Sequence, residues 1–285
     1  MLGNFEYRKA RSIEEGCQAL ADAKGTAAIL AGGTDLLVEI RNGLKSPKLL
    51  IDCKRVEELQ NVTLSPTATS IGANVPMNRL IEDRKFRESY PALADALFSI
   101  GTYQLRSRAT IAGNLCNASP AADSAPVLLV RQAAIEVTGT EGSRTIPMQE
   151  FFAGVKRTTL RSDEIVTAIR IPANSALHTA FLKQQRIKGH DLAVVNIAGA
   201  YDSDERTLQI AVGSCAPTPV LLDPIHVDAS NLQAFSAHVA RSVVGSVSPI
   251  SDVRASATYR NAILPTLAKR IVFQLLGDKE ASSNA

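Results

Sequence analysis

The chain has 285 residues, of which 45% are hydrophobic and 21% are charged, and its formal net charge is +3. These values are typical of a globular protein large enough for two domains, and no dense Lys/Arg cluster interleaved with aromatic residues supports nucleic-acid binding. No apolar run has the length of a membrane-spanning helix, and the polar residues near the start are unlike a signal peptide, so we expect a cytoplasmic protein.

The cysteines and histidines are too scattered to predict a metal site. The four cysteines, Cys17, Cys53, Cys116 and Cys215, lie dozens of residues apart and form no CxxC pair. The four histidines form no HxxxH or HExxH motif. We therefore expect no bound metal and no disulfide framework.

The amino-terminal part of the chain predicts a βαβ unit. Residues 12–15 have the sequence SIEE of a capping box, and the apolar spacing that follows predicts a helix that ends before Gly25. Short strands are predicted over residues 27–31 and 49–52, with a helix over 36–42 between them. In such units ligands bind beyond the carboxyl end of the first strand.

The rest of the chain predicts hairpins, helices and a separate carboxyl-terminal sheet. Strands are predicted over residues 62–64, 70–72, 134–138, 143–146 and 165–171. Helices are predicted over 91–100, which begins with Pro91, and over 125–132, 231–244 and 259–276. Beyond a linker at 172–175, three antiparallel strands are predicted over 179–186, 193–201 and 207–213, and the tail from residue 277 is expected to fray.

Two glycine-bearing segments carry most of the functional signal. The first glycine segment, residues 31–36, has the sequence AGGTDL, and the second, residues 110–114, has the sequence TIAGN. Each is expected to precede a helix. Glycines at such junctions let backbone N–H groups face outward together and let an anion come close. A lone Gly-Gly turn is more often structural, but two such segments favour a ligand with two phosphates or one long enough to reach both.

Two charged residues each have two open roles. The polar residues Asn117, Ser119 and Asp123 extend the lining of the second glycine segment. Asp123 is placed either to accept from ribose or ribityl hydroxyls or to cap the following helix. Lys183 alternates with apolar neighbours along a predicted strand, so it is either a solvated edge charge or a donor aimed at a ring carbonyl.

Other polar and aromatic residues have plainer expected roles. Arg106 and Arg108 are able to bind phosphate, but exposed arginines at a helix end are commoner. Tyr103 and Tyr201 are expected in the core rather than stacked on a flat ring. Cys116 is expected as a small buried residue, because no histidine near it in sequence activates it as a nucleophile. No catalytic residue is predicted.

The ordered set of motifs resembles the FAD-binding medium subunit of the molybdenum hydroxylases, a family that includes xanthine dehydrogenase and carbon monoxide dehydrogenase. The similarity runs over nearly the whole chain. It is carried by residues 5–7 with 12–15, 31–36, 110–126 (TIAGNLCNASPAADSAP), 163–166 (DEIV), 181–186 (FLKQQR) with 191–193 (DLA), and 251–260 (SDVRASATYR). In departure from the family, Ala112 stands where glycine is frequent, and Leu192 stands where some relatives have an aromatic residue.

The resemblance implies an α+β fold in two domains. Residues 1–174 are expected to form a two-lobed FAD-binding domain of the PCMH type, with lobes at about 1–57 and 58–174. Residues 175–285 are expected to form a smaller α+β domain like the carboxyl-terminal domain of the carbon monoxide dehydrogenase flavoprotein, with a three-stranded antiparallel sheet and helices.

The resemblance also implies where FAD binds. The pyrophosphate is expected at residues 28–36 and 110–114, Asp123 near the ribityl or ribose hydroxyls, Ile165 and Val166 on an apolar face of the cofactor, and Lys183 near the flavin ring. The full set of predicted cofactor-binding residues is Ala28, Ile29, Leu30, Ala31, Gly32, Gly33, Thr34, Asp35, Leu36, Thr102, Ala109, Thr110, Gly113, Asn114, Cys116, Asn117, Ala122, Asp123, Ile165, Val166 and Lys183.

By resemblance, the chain is an electron-transfer flavoprotein subunit of an oxidoreductase. Its expected partners are a large molybdenum-cofactor subunit and a small subunit with two [2Fe–2S] clusters, in a heterotrimer or its dimer. FAD is expected to take electrons from the clusters and pass them to NAD⁺ or another acceptor. The alternatives are a self-contained FAD-dependent oxidase or reductase of the same fold superfamily, and a non-catalytic assembly subunit.

Overall fold

The structure, a computed structural model, describes residues 4–187 and 189–283. It has the predicted mixture of helices and sheets, arranged in two compact units. The first unit holds the chain up to Leu80 together with Thr102–Asn117 and Gln132–Ala173. The second unit holds Ile81–Gly101, Ala118–Arg131 and the chain from Asn174 onward. The expected domain division at residues 174 and 175 stays a prediction.

The strands and helices are numbered in chain order. The strands are β1 (Glu6–Lys9), β2 (Ala27–Leu30), β3 (Leu49–Asp52), β4 (Val62–Leu64), β5 (Ala68–Gly72), β6 (Ala134–Gly139), β7 (Gly142–Pro147), β8 (Phe152–Gly154), β9 (Arg157–Thr158), β10 (Ile165–Pro172), β11 (Leu177–Gln184), β12 (Val195–Asp202), β13 (Thr207–Gly213), β14 (Val220–Leu221) and β15 (Ile225–His226). The helices are α1 (Ile13–Asp22), α2 (Leu36–Arg41), α3 (Met77–Glu82), α4 (Arg84–Ser89), α5 (Pro91–Phe98), α6 (Tyr103–Arg106), α7 (Ile111–Cys116), α8 (Ser124–Val130), α9 (Leu232–Gly245) and α10 (Ala257–Ser283).

The first unit contains a parallel sheet that confirms the predicted βαβ unit. In this sheet, of order β1–β3–β2, β2 and β3 pair in parallel and α2 connects them. Ser12 caps α1 as predicted, because its side chain accepts a hydrogen bond from the N–H of Glu15. The glycine pair therefore lies at the carboxyl end of β2.

The first unit also contains a five-stranded antiparallel sheet of order β4–β5–β10–β6–β7, and a hairpin of β8 and β9. The central strand β10 is mostly buried, as its apolar sequence IVTAIRIP predicts. It contacts both α1 and α7. This sheet and its helices form the scaffold beside the second glycine segment.

The second unit packs helices on an antiparallel sheet. The sheet has the order β11–β12–β13–β14, with β15 also paired to β13, so the three predicted long strands are joined by two short ones. Helix α10 packs on β12 at Gly199, where a Cβ would lie 2.3 Å from Cγ2 of Ile271. The absence of a side chain at Gly199 lets the helix lie close to the sheet.

Element boundaries differ from the predicted ones by a few residues in most cases. Helix α5 begins at Pro91 as predicted and ends at Phe98 rather than at residue 100. Helix α10 continues to Ser283, so the expected frayed tail is wrong up to that residue, and residues 284–285 lie outside the described part of the chain. Within the described residues, no helix is both long and apolar enough to cross a membrane. The cytoplasmic location stays a prediction.

Candidate functional site

The first glycine segment turns the chain sharply between β2 and α2. Residues Ala28, Ile29 and Leu30 belong to β2, which is half-buried at the edge of the parallel sheet. Gly33 has a φ of +76°, in the left-handed region where an L side chain is strained. Asp35 stands at the N-cap position of α2, but its side chain makes no capping hydrogen bond.

This turn leaves a run of backbone donors exposed to ligand. Among the described residues, none accepts a hydrogen bond from the backbone N–H of Gly32, Gly33, Thr34 or Asp35. Half-buried N–H groups normally have a partner, so those of the half-buried Gly32, Gly33 and Thr34, and that of the exposed Asp35, are available to a ligand or water. Acceptor oxygens of a phosphate match such a run.

The two glycine segments meet within the first unit. A Cβ on Gly32 would lie 2.2 Å from the carbonyl oxygen of Arg108 and 3.0 Å from Cα of Ala109. Only glycine therefore fits at position 32, because the chain next to the second segment lies against its Cα. Gly32 was expected to leave room for an approaching anion, but the neighbouring chain occupies that space. An anion would instead meet the N–H groups that the positive φ of Gly33 turns outward.

The second glycine segment is the start of helix α7 rather than a loop before a helix. Thr110 is the N-cap, and its Oγ1 accepts from the N–H of Gly113 at 3.0 Å, while its carbonyl accepts from the N–H of Asn114. The expectation that the Gly113 N–H faces outward is therefore wrong. Open space nevertheless faces Gly113, because a Cβ there would meet only Thr110 Oγ1, at 3.2 Å.

The remaining predicted residues of this stretch surround α7. Thr102 caps α6 by accepting from the N–H of Leu105 at 3.0 Å, and Ala109 is buried. Cys116 is exposed at the carboxyl end of α7, so its expected burial is wrong. Asn117 directly follows α7, and its Oδ1 accepts from the ammonium of Lys156 at 2.5 Å.

Ile165 and Val166 are both buried at the start of β10. The side chain of Ile165 points at helix α1, because its Cδ1 lies 2.7 Å from the position of a Cβ on Gly16. Alternation along the strand places Val166 on the opposite face. Of these two residues, Val166 is therefore the better candidate for an apolar contact with a cofactor.

The second unit holds a buried ion pair built from two predicted residues. The Nζ of Lys183 lies 2.7 Å from Oδ2 of Asp123 and 2.9 Å from the carbonyl oxygen of Ser99. Both side chains of the pair are only 6% exposed. Burial raises the pKa of the Asp123 carboxyl, and the ammonium of Lys183 opposes that rise. Ala122, also predicted, is buried beside Asp123.

This ion pair excludes one of the two expected roles of each residue. Asp123 occupies the N-cap position of α8, but its side chain makes no capping hydrogen bond. Its Oδ1 instead accepts from Nδ2 of Asn196, a fully buried residue on β12 that the sequence analysis missed. The side chain of Lys183 is buried and paired, so its expected role as a solvated charge at a strand edge is wrong.

Two of the three other expectations are wrong. Arg106 is buried and its Nε donates to Oδ1 of Asn78 at 3.2 Å, whereas an exposed helix end was expected. Tyr103 is 58% exposed and is not a core residue. Tyr201, as expected, packs against the hydrophobic core, and its ring stacks on that of His178 at a centroid distance of 6.4 Å. In the described part of the chain, no group of three or more His, Cys, Asp or Glu side chains is placed to hold a metal ion.

Comparison with known proteins identifies the family. Residues 3–174 match the model of the FAD binding domain in molybdopterin dehydrogenase, and residues 180–275 match the model of the CO dehydrogenase flavoprotein C-terminal domain. The chain therefore belongs to the family of FAD-binding medium subunits of the molybdenum hydroxylases, whose members are flavoprotein subunits of oxidoreductases and whose cofactor is FAD.

Individual relatives match over nearly their whole length. The xanthine dehydrogenase FAD-binding subunit of Escherichia coli O157:H7 is 31% identical over 95% of this chain and 96% of its own. The carbon monoxide dehydrogenase medium chain of Hydrogenophaga pseudoflava is 29% identical over 93% of this chain and 95% of its own. A solved structure of carbon monoxide dehydrogenase from Hydrogenophaga pseudoflava, lacking the Mo-pyranopterin moiety, superposes with a TM-score of 0.89 and 28% identity, covering 98% of this chain and 99% of that chain.

The residues of the first glycine segment fit the diphosphate of FAD. Four backbone N–H groups without an acceptor among the described residues, and a glycine of positive φ, lie within the region that matches the FAD-binding model. The particular residues that touch FAD stay predictions.

Proposed function

We propose that this chain binds FAD and, as one subunit of a larger oxidoreductase, relays electrons from the [2Fe–2S] clusters of a small partner subunit to NAD⁺ or another acceptor. A large subunit with the molybdenum cofactor supplies the electrons, and the three chains form a heterotrimer or its dimer. The observation that carries the proposal is the run of backbone N–H groups at residues 32–35, which have no acceptor in the described part of the chain and lie in the region matched by the family.

In the first unit, we assign the diphosphate to the first glycine segment. The N–H groups of Gly32, Gly33 and Thr34 donate to its oxygens, and the positive φ of Gly33 gives the turn that exposes them. The open space in front of Gly113 admits the ligand at the start of α7. No charged side chain is needed for this task, because several backbone dipoles act together.

In the second unit, we assign the flavin end of the cofactor to the Lys183–Asp123 pair. The ammonium has three N–H donors, and Asp123 and Ser99 accept from it at 2.7 and 2.9 Å, so a third donor is available to a ring carbonyl oxygen. FAD, when bound, supplies the ability to accept electrons singly and release them singly or in pairs. The residues of this chain orient the ring and adjust its potential through hydrogen bonds.

The relatives support the assembly. The relatives that match nearly the full chain are subunits or medium chains of dehydrogenases, among them xanthine dehydrogenase and carbon monoxide dehydrogenase. A medium chain or FAD-binding subunit implies other subunits that carry the remaining cofactors. We extend that organisation to this chain.

The proposal is tested on the tagged full-length chain purified with whatever subunits it binds. We expect one large and one small partner, and absorption near about 370 and 450 nm, where oxidised flavins absorb. One-electron photoreduction of the complex should bleach the iron–sulfur absorption and then the 450 nm band, and added NAD⁺ or another acceptor should restore it. A flavin that stays oxidised while the clusters are reduced, or a complex without flavin, would contradict the relay.

A further inference from the structure

We infer that Lys156 is a positioning residue of the FAD site, which fixes the side chain of Asn117 so that its NH₂ group faces the ligand. The inference rests on the proposed function, because Asn117 is one of the residues predicted to bind the cofactor. Lys156 was not among the predicted site residues, and it lies about 40 residues from Asn117 in sequence. Both residues belong to the first unit.

The β8–β9 hairpin brings Lys156 to the site. Lys156 lies in the turn of this hairpin, with a φ of +58°. That conformation is strained for a residue other than glycine.

The ammonium of Lys156 has two partners. Its Nζ lies 2.5 Å from Oδ1 of Asn117 and 3.0 Å from Oε1 of Glu39, a residue of α2. The other oxygen of this carboxylate, Oε2, lies 2.9 Å from Nζ of Lys45. Lys156 therefore connects α2, which follows the first glycine segment, to the end of α7, which follows the second.

The chemistry of the contact fixes the orientation of the Asn117 amide. An ammonium only donates hydrogen bonds, so the amide atom that faces it has to be the oxygen. The NH₂ group then points away from Lys156 as a pair of donors. Acceptor oxygens of a phosphate or a ribose hydroxyl suit those donors. A flipped amide would instead present its oxygen, an acceptor, to the phosphate or hydroxyl oxygen.

The inference is tested by titrating the FAD-free full-length chain with FAD and following flavin fluorescence. Lys156→Met should raise the dissociation constant roughly fivefold, as expected for one half-exposed charge-assisted hydrogen bond. Asn117→Ala should weaken binding to a similar degree. The double variant should bind no more weakly than the weaker single variant, because Lys156 acts through Asn117. Lys156→Arg should restore most of the affinity.

Lys45→Met is the matched control, because it removes a second cation from the same Glu39 carboxylate without a contact to Asn117. It should change the FAD affinity by less than about twofold. Lys156→Gly repeats the test with a residue that suits the positive φ, in case the methionine variant does not fold. Three results would overturn the inference. The first is wild-type FAD affinity in both Lys156→Met and Lys156→Gly, and the second is a Lys45→Met variant that binds FAD as weakly as Lys156→Met. The third is a double variant whose dissociation constant rises by the product of the two single effects. Failure of the wild-type chain to bind FAD would overturn the proposed function itself.

Discussion

The backbone of Gly32 lies against the carbonyl oxygen of Arg108, so closely that a Cβ at position 32 would be 2.2 Å from that oxygen. This contact joins the turn after β2 to the chain that leads into α7. It fixes the relative position of the two segments from which we assign FAD contacts in the first unit. The two segments are thus one structural feature, although more than 70 residues separate their glycines.

Gly32→Ala should destabilise the first unit. The new methyl group overlaps a backbone oxygen that has no freedom to rotate away, and overpacking of this kind costs roughly 1–3 kcal/mol. We expect a lower midpoint of urea denaturation and weaker FAD binding together. Gly245→Ala is the reference, since Gly245, like Gly32, has no positive φ, and no atom lies within 4 Å of a Cβ there. A Gly32→Ala variant as stable as wild type would show that the backbone at Arg108 moves away from the new methyl group at little cost.

Gly33→Val should abolish FAD retention. A β-branched residue at a φ of +76° forces the turn to change, and the N–H groups of residues 32–35 then no longer face one ligand. Gly43→Val is the matched control, because Gly43 has a φ of +73° beyond the end of α2 and open space around it. We expect the first variant to purify colourless and the second to purify yellow. Full flavin occupancy in Gly33→Val would remove this segment from the site.

The Lys183–Asp123 pair should contribute strongly to the stability of the second unit. Lys183→Met leaves a buried carboxylate without its cation, a change that typically costs about 3–5 kcal/mol. Burial raises the pKa of Asp123, so the folded variant takes up a proton more readily than the unfolded chain, and its deficit should shrink as the pH falls below 7.

Denaturant unfolding of Lys183→Met, wild type and the double variant Lys183→Met/Asp123→Asn checks this expectation. The double variant should be less destabilised at pH 7 than Lys183→Met, because it retains no buried charge at either position. A deficit of Lys183→Met that is the same at pH 5 and pH 7 would argue against a buried, protonating Asp123.

Acid should weaken the second unit through Asp191. Two hydrogen bonds from the Arg186 guanidinium lower the pKa of Asp191 to about 2. A depressed carboxyl pKa stabilises the folded state above the ordinary pKa near 4, and that contribution is lost as the pH falls from about 4 to 2. Asp191→Asn should therefore take up fewer protons on unfolding in this range, by at most about one. An unchanged pH slope would place Asp191 outside the ion pair in solution.

The sequence predicts local structure well where the apolar periodicity and the residues that end helices and strands agree. The β2–α2–β3 unit followed from two short apolar runs and the glycines between them. Strand β1 was missed because its four residues, EYRK, are all exposed and its partner β3 is distant in the chain. Helix α7 was missed because it is short and its sequence, IAGNLC, has at its centre a glycine and an asparagine, which are both poor helix formers.

The site was predictable only in part for the same reason. Glycine segments have a local signature, and the resemblance to a family predicts a cofactor contact for Asp123 and another for Lys183. Their ion pair joins residues 60 positions apart, and Asn196 joins it from another strand. Lys156 reaches Asn117 from a hairpin turn. Contacts of this kind depend on sheet register and turn geometry, which spacing along the chain does not encode.

The central claim is that the backbone N–H groups of the first glycine segment hold the diphosphate of FAD, and amide NMR of the chain labelled with ¹⁵N-glycine tests it most directly. On addition of FAD to the FAD-free chain, the amide resonances of Gly32 and Gly33 should shift downfield as they gain a charged acceptor. Gly25, which precedes β2 at its opposite end, should shift little. Unmoved Gly32 and Gly33 resonances at saturating FAD would contradict the claim.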